Sequence, residues 1–423
     1  MMPQTPTTTE SAPKLPMGKR ELIVLLALLM SLNGLAIDAM LPALEDMAAD
    51  LGVIDGNRRQ LVVAVYSIAM GVGCLVPGAY ADRYGRRPIL LLALGCYVGF
   101  ALLVAVLRDF EMVLLARIVG GVLGAGLMVA PMAIVRDLYE GDRMARLMSI
   151  VAAVFITVPV VAPSLGHAVL QVAGWRWIFV TQAAIGALAA VWVWYRLPET
   201  LAPENKQLIN LPVIARNMHA ALINRQSIGY VIGTLLVMAG VFGYVNIAQQ
   251  LFIGHFGVSD DAFPLLFGGT AAMMAVANIT NSRIVMRFGA RRVSHTGIFM
   301  FIAVSAMQVW ASHYRAGQIE WFLPLMALNL GLLGFLGANF GSIAMQPFAH
   351  IAGAASSVQA FFRMFGAAMV GLLIGQSYDG TARPFALALL ICSTLALCFV
   401  LYSERGVLFR RLNVKPPKER IIP

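Results

Sequence analysis

About twelve apolar segments, each near the length that crosses a bilayer, follow one another along the 423-residue chain. No other feature constrains its fold as much. A helix rises about 1.5 Å per residue, so roughly 20 apolar residues span a hydrocarbon core of about 30 Å. The segments fall at 22–44, 58–80, 88–107, 111–135, 146–172, 176–197, 227–253, 262–286, 292–312, 320–347, 353–377 and 382–402. In hydrocarbon the backbone groups must be satisfied internally, and uninterrupted runs of this length do that as helices. Composition agrees, with 59% hydrophobic and 12% charged residues, where soluble domains carry about 25% charged. The expected fold class is an all-α membrane protein with twelve transmembrane helices.

The formal net charge of +10 does not mark a nucleic-acid partner, because the basic residues lie in short segments between apolar runs and not on a soluble face. With the N-terminus inside, 23 Lys and Arg fall in inner segments and six in outer loops, while Arg117 and Arg363 lie within helices. By the positive-inside rule this places both termini in the cytoplasm of a multi-pass protein. Cys74, Cys96, Cys392 and Cys398 all sit inside apolar segments without ligand spacing, so neither a disulfide framework nor a metal site is expected. No cofactor is expected either. Residues 1–20 are rich in Thr and Pro and read as a disordered cytoplasmic N-terminus, and the run after Arg20 is too long for a signal-peptide core.

Hydropathy falls between Leu197 and Ser227, where Pro198, Pro203, Asn205, Lys206 and Pro212 cluster. The expected domains are an N-terminal six-helix bundle at 21–197, a cytoplasmic linker at 198–226, a C-terminal six-helix bundle at 227–403 and a basic cytoplasmic tail at 404–423. Met286-Arg287-Phe288-Gly289-Ala290-Arg291-Arg292 echoes Asp82-Arg83-Tyr84-Gly85-Arg86-Arg87 at an offset of about 204 residues. The halves therefore read as a pseudo-repeat, with methionine where the first copy has Asp82.

The first copy of that echo is part of Gly78-Ala79-Tyr80-Ala81-Asp82-Arg83-Tyr84-Gly85-Arg86-Arg87-Pro88, a charged loop between two apolar runs. Gly78 permits close helix approach, Gly85 a turn, and Asp82 can accept hydrogen bonds from helix N-termini or arginines. One reading is a topological anchor at the membrane face; the other is a conformational gate formed by Gly78, Asp82, Arg83, Gly85, Arg86 and Arg87. The pattern resembles the loop between the second and third helices of the major facilitator superfamily of transporters. The resemblance implies two six-helix bundles with a binding site between them near the midplane, and a role for Asp82 as a clamp on the cytoplasmic side.

Asn33 and Asp38 interrupt the first apolar run. A carboxylate in a membrane segment costs several kcal/mol unless it is protonated, paired or in a water-filled cavity. At the helical rise Asp38 lies about 24 Å from the inner end of its helix, and Arg117 about 9 Å below the outer face. The two depths match. They read either as an interfacial carboxylate and a packing arginine, or as a cavity-facing charge system whose proton occupancy changes with conformation. The fifth segment carries Pro159, Pro163 and Gly166 and is expected to bend; its stretch Val160-Val161-Ala162-Pro163-Ser164-Leu165-Gly166-His167 resembles the Pro/Gly motif of superfamily antiporters, which implies an outer-gate helix. His167 stands where that motif often has a second glycine, and reads as an interfacial residue.

Ala36-Ile37-Asp38, Leu41-Pro42-Ala43-Leu44, Ala133-Ile134-Val135-Arg136-Asp137-Leu138-Tyr139-Glu140-Gly141 and Gly174-Trp175-Arg176-Trp177-Ile178-Phe179, with the 78–88 loop, together resemble the Bcr/CflA branch of drug:proton antiporters over most of residues 33–195. The resemblance implies a proton-coupled secondary exporter of small hydrophobic or amphipathic molecules such as antibiotics, in a bacterial cytoplasmic (inner) membrane. Its partners would be a small-molecule substrate, protons and the lipid bilayer, and the protein is expected to be a monomer. Substrate-cavity candidates are Asn33, Asn246, Gln249, Asn329, Gln359 and Arg363, although interhelical amide bonds are the ordinary role of such residues in lipid. A proton-coupled symporter or facilitator for one metabolite is the alternative. The chain has no Gly-xxxx-Gly-Lys-Ser/Thr phosphate loop, no HExxH and no Gly-x-Ser-x-Gly elbow, so an enzyme is not expected.

Overall fold

The computed structural model describes residues 17–75, 77–139, 141–202 and 223–409, together with residues 212, 216, 219 and 220. The expected disordered N-terminus, the linker at 198–226 and the basic tail fall largely outside the described residues. Among these residues all regular structure is helical. The first part of the chain forms α1 (Lys19–Asp38), α2 (Leu44–Asp50), α3 (Leu61–Gly73), α4 (Pro77–Tyr84), α5 (Arg86–Val106), α6 (Phe110–Gly124), α7 (Gly126–Leu138), α8 (Gly141–Ala173) and α9 (Trp175–Arg196). The second part forms α10 (Arg225–Gln249), α11 (Phe263–Phe288), α12 (Ala290–Tyr314), α13 (Ile319–Met345), α14 (Ala352–Phe361), α15 (Ala367–Gln376) and α16 (Arg383–Ser403).

Among the described residues ten helices are long and apolar enough to cross a membrane, the pair Arg58–Gly73 and Pro77–Tyr84 makes an eleventh if it is one span bent by 48°, and Thr157–Ala173 within α8 is a shorter apolar stretch. These spans take up the twelve apolar segments in order. Several of the segments are broken where a continuous helix was expected. The first ends as an α-helix at Asp38 and continues through a 3-10 turn, Leu41–Ala43, with Pro42 early in it. The second breaks ahead of Pro77, whose missing N–H cannot continue the ladder. The fourth divides at Ala125, between Gly124 and Gly126. The eleventh carries a π turn at Phe362–Gly366, a feature that concentrates at functional sites. In contrast, α8 runs through Pro159 and Pro163 as one helix of 33 residues.

The chain forms two compact units: Met1–Leu211 with Ser259–Gly268, and Pro212–Val258 with Gly269–Pro423. In the first, α1 packs on α8 and α5 on α9; in the second, α10 packs on α15 and α12 on α16. These are the same pairs by position, first helix on fifth and third on sixth, so the repeat seen as a seven-residue echo extends to the packing of each bundle. The echoed glycines repeat too. Gly85 (φ 108°, ψ 158°) and Gly289 (φ 84°, ψ 148°) each precede the third helix of their unit in a conformation that side chains avoid.

Candidate functional site

The polar interior of the first unit is organised around the carbonyl end of α1. Tyr97 on α5 donates to the Leu32 carbonyl at 3.0 Å, Gln182 on α9 to Leu35 at 3.3 Å, and Arg117 Nη2 on α6 to Ala36 at 3.0 Å. A helix leaves its last carbonyls without intrahelical partners, and a cation suits that end of the dipole. Arg117 thus caps α1, and its Nε also donates to Val62 on α3 at 3.1 Å. The guanidinium lies 4.1 Å from the Tyr66 ring centroid and 5.9 Å from that of Phe179. Asn33 joins the same cluster, accepting from Tyr66 Oη at 2.9 Å and donating to the Gly124 carbonyl at 3.3 Å.

Asp38 is the last residue of α1 and is 5% exposed. Arg117 is 4% exposed and reaches the carbonyl two residues before it. The two charges, at matching depth by sequence, do not pair: among the described residues no hydrogen bond or ion pair reaches the Asp38 carboxylate, and the arginine is occupied by carbonyls and rings. Ala36, Tyr66, Tyr97, Arg117, Phe179 and Gln182 enclose a cavity of about 20 Å³, room for one water.

Arg117 can be tested by conservative replacement. Each charge-assisted bond to a carbonyl contributes about 1.5–3 kcal/mol, and the planar fork serves two carbonyls at once where an ammonium serves one. Melting temperature in detergent should fall in the order wild type, Arg117→Lys, Arg117→Ala. Three equal melting curves would remove Arg117 from the structural core of this cluster.

At the loop before α5, Arg86 lies between two carboxylates: it pairs with Asp82 and, through Nε at 2.8 Å, with Asp137 on α7. Its side chain is 8% exposed. Asp82, expected to accept from helix N-termini or arginines, accepts from an arginine, Arg86, while the amides at the start of α5 go to Glu199, just beyond α9, which accepts from Arg86 at 2.8 Å and Arg87 at 3.2 Å. A carboxylate at a helix N-terminus satisfies orphaned donors and suits the positive end of the dipole. Gly85 lies so close to Glu199 that a Cβ there would overlap its carboxylate. Arg83 is exposed with its guanidinium over Tyr84, Arg87 lies over Trp194, and Gly78 approaches Val129 with room for a Cβ. Glu199 and Asp137 were missed as site residues, although Pro198-Glu199-Thr200 follows the sixth helix and Asp137 lies in the quoted 133–141 stretch.

The second unit repeats the arrangement with different residues. Glu404, just after α16, accepts from Arg291 Nε at 2.7 Å and from Tyr230 Oη at 2.7 Å, and Arg291 Nη1 reaches Gln346 at 3.0 Å. No residue of this cluster was anticipated beyond the echo itself. Among the cavity candidates, Asn246 and Gln249 are buried on α10, and Asn246 Oδ1 has no hydrogen-bond partner among the described residues. Asn329 is 0% exposed and accepts from Ser305 on α12 at 3.4 Å, which makes it a stitch between α12 and α13. Gln359 donates to the Gly341 carbonyl at 3.1 Å, and Arg363 is exposed on the π turn. In α8, Pro163 and Gly166 are buried and Pro159 half-buried, and a Cβ on Gly166 would fall inside the Ala39 carbonyl oxygen. That contact brings α8 against the chain directly after Asp38.

Two pseudo-repeated six-helix bundles, each with a polar clasp before its third helix, define a transporter architecture. The Major Facilitator Superfamily matches residues 26–371, and the chain belongs to that family. It is 28% identical over 392 residues to the bicyclomycin resistance protein homolog of Haemophilus influenzae, covering 91% of this chain and 96% of that one. It is 28% identical over 380 residues to a chloramphenicol resistance protein of Pseudomonas aeruginosa, covering 86% of each. Among solved structures, a D-xylose-proton symporter superposes with a TM-score of 0.69 over 92% of this chain and 99% of the other, at 15% identity, which speaks to the fold alone.

Proposed function

We propose that this protein is a proton-coupled secondary exporter of small hydrophobic or amphipathic molecules, antibiotics among them, working by alternating access in a bacterial cytoplasmic membrane with both termini inside. The observation that carries this reading is Asp38, a buried carboxylate at the end of a membrane helix with no ion-pair partner among the described residues. Ionisable groups at such depth mark proton and substrate pathways. Similarity to proteins named for resistance to bicyclomycin and chloramphenicol supports drug-like cargo. In this reading Asp38 binds and releases the coupling proton while Arg117, fixed on the end of α1, sets the field it experiences. The loop residues Gly78, Asp82, Arg83, Gly85, Arg86 and Arg87 act as the conformational gate and Pro159, Pro163 and Gly166 shape the outer-gate helix. Asn33, Asn246, Gln249, Gln359 and Arg363 are the polar groups proposed for the cavity, with Asn329 behind them.

The test is susceptibility profiling of an export-deficient bacterial strain with and without the gene, followed by inside-out vesicles given an imposed pH gradient. Export predicts resistance in cells, and in vesicles uptake of the same compound only while the lumen is acid. Cargo that leaves the lumen together with protons would mean symport. Cargo that equilibrates regardless of the gradient would mean facilitation.

A further inference from the structure

The ring of His167 lies near the end of α8, on the side that the proposed topology puts outside. Its Nε2 is 2.9 Å from Asp261 Oδ1 and 3.1 Å from Gln171 Nε2, and the same glutamine amide donates to Asp261 Oδ1 at 3.0 Å. Asp261 precedes α11 by two residues, in the segment Ser259–Gly268 that belongs to the first unit. That segment also meets α8 backbone to backbone: a Cβ on Gly268 would lie 3.0 Å from the Val160 carbonyl oxygen. The His167 contact is therefore the polar end of a seam whose other end is close apolar packing.

We propose that His167 and Asp261 form a proton-controlled latch between α8 and the entry of α11, tight when the imidazole is charged and looser when it is neutral. Nε2 cannot serve both neighbours. With a proton it donates to the carboxylate; without one it presents a lone pair, which accepts from Gln171 and repels Asp261. The other nitrogen, Nδ1, is buried with no hydrogen-bond partner among the described residues, so the ring's hydrogen bonds among them are all made by Nε2. The carboxylate side chain is 79% exposed and the imidazole 15%, which leaves the pair open to protons from the adjoining solution.

The surroundings favour the charged form of the contact. Asp260 adjoins Asp261, and Asp46 on α2 lies close enough to Asp260 for the two carboxylates to repel each other. The arginines that pair with carboxylates of α2 are engaged there: Arg59 with Glu45, Arg176 with Asp50. Among the described residues no Lys or Arg pairs with Asp260 or Asp261, so His167 is the group that can bring positive charge to them. The neutral Nε2–H tautomer can also donate to Asp261, but only the imidazolium adds the attraction of opposite charges, so the latch strengthens as pH falls and weakens as pH rises. Histidine changes charge within the range that a proton gradient sweeps.

The test uses neither cargo nor transport, so its failure is separable from failure of the exporter reading. Spin labels are placed at Val172→Cys on α8 and Leu265→Cys on α11, both exposed, in the full chain with Cys74, Cys96, Cys392 and Cys398 replaced by alanine. The short-distance population is expected to grow about two- to fivefold between about pH 8 and about pH 5.5, the scale of a solvent-screened pair. The response should vanish in His167→Gln, which cannot gain charge, and in Asp261→Asn, an exposed change that leaves packing intact. A pH-independent distribution in the parent, or a pH response that persists in either variant, would overturn the latch.

Discussion

Asp38→Asn is expected to reduce gradient-driven export to the passive background while leaving the protein folded and inserted. The amide keeps the volume of the carboxylate at a position that is 5% exposed, and removes its ability to take up and release a proton. Folding should survive because no ion pair or hydrogen bond to that carboxylate is broken among the described residues, and because the end of α1 is held by Arg117, Tyr97 and Gln182 through main-chain carbonyls. Melting temperature and expression should match wild type. Vesicle transport should then separate two behaviours: gradient-driven accumulation is lost, while cargo exchange without a gradient persists. Uphill export with wild-type pH dependence in the asparagine variant would exclude Asp38 as the coupling group.

Gly166→Ala carries the second large effect, on stability. The added methyl would occupy the position of the Ala39 carbonyl oxygen, with the carbonyl carbon at 2.7 Å and the Cα at 3.2 Å. All three obstacles are backbone, so no side chain can rotate away and α8 must move off α1. Overpacking costs about 1–3 kcal/mol in general, and a clash against main chain belongs at the upper end. For a bundle of this size that corresponds to a fall of about 5–10 °C in melting temperature. Gly268→Ala meets Val160 at 3.0 Å or more and should cost much less. If both variants melt with the parent, the approach of α8 to the chain after Asp38 is looser than these contacts require.

Sequence carried the class and the count of spans because bilayer thickness imposes a length, and length is read directly from hydropathy. It did not carry the breaks. Ala125 is an apolar residue inside an apolar run, and the helix divides there because glycine on either side leaves the backbone poorly supported. Depth arithmetic brought Asp38 and Arg117 to the same level, but depth says nothing of azimuth or of competing acceptors. The arginine found the uncapped carbonyl of Ala36 and the face of Tyr66. Glu199 was illegible for a different reason: its partner Arg86 lies 113 residues away, and an exposed glutamate beyond a helix usually faces water. Of the two kinds of donor expected for Asp82, it takes the arginine, Arg86, and the helix amides belong to Glu199.

The position of Glu199 bears on how the protein is made. Arg86 and Arg87 leave the ribosome with the third helix, yet the acceptor for their amides arrives only after the sixth has been synthesised. Until then the start of α5 holds unsatisfied donors at the membrane surface, where water can serve them. Glu404 likewise follows Arg291 by 113 residues in the second unit, although there it accepts from the side-chain Nε and not from a main-chain amide. Each bundle is thus sealed by a residue translated at its very end, and a chain arrested just short of either glutamate would contain every helix of that bundle without the bond that closes it.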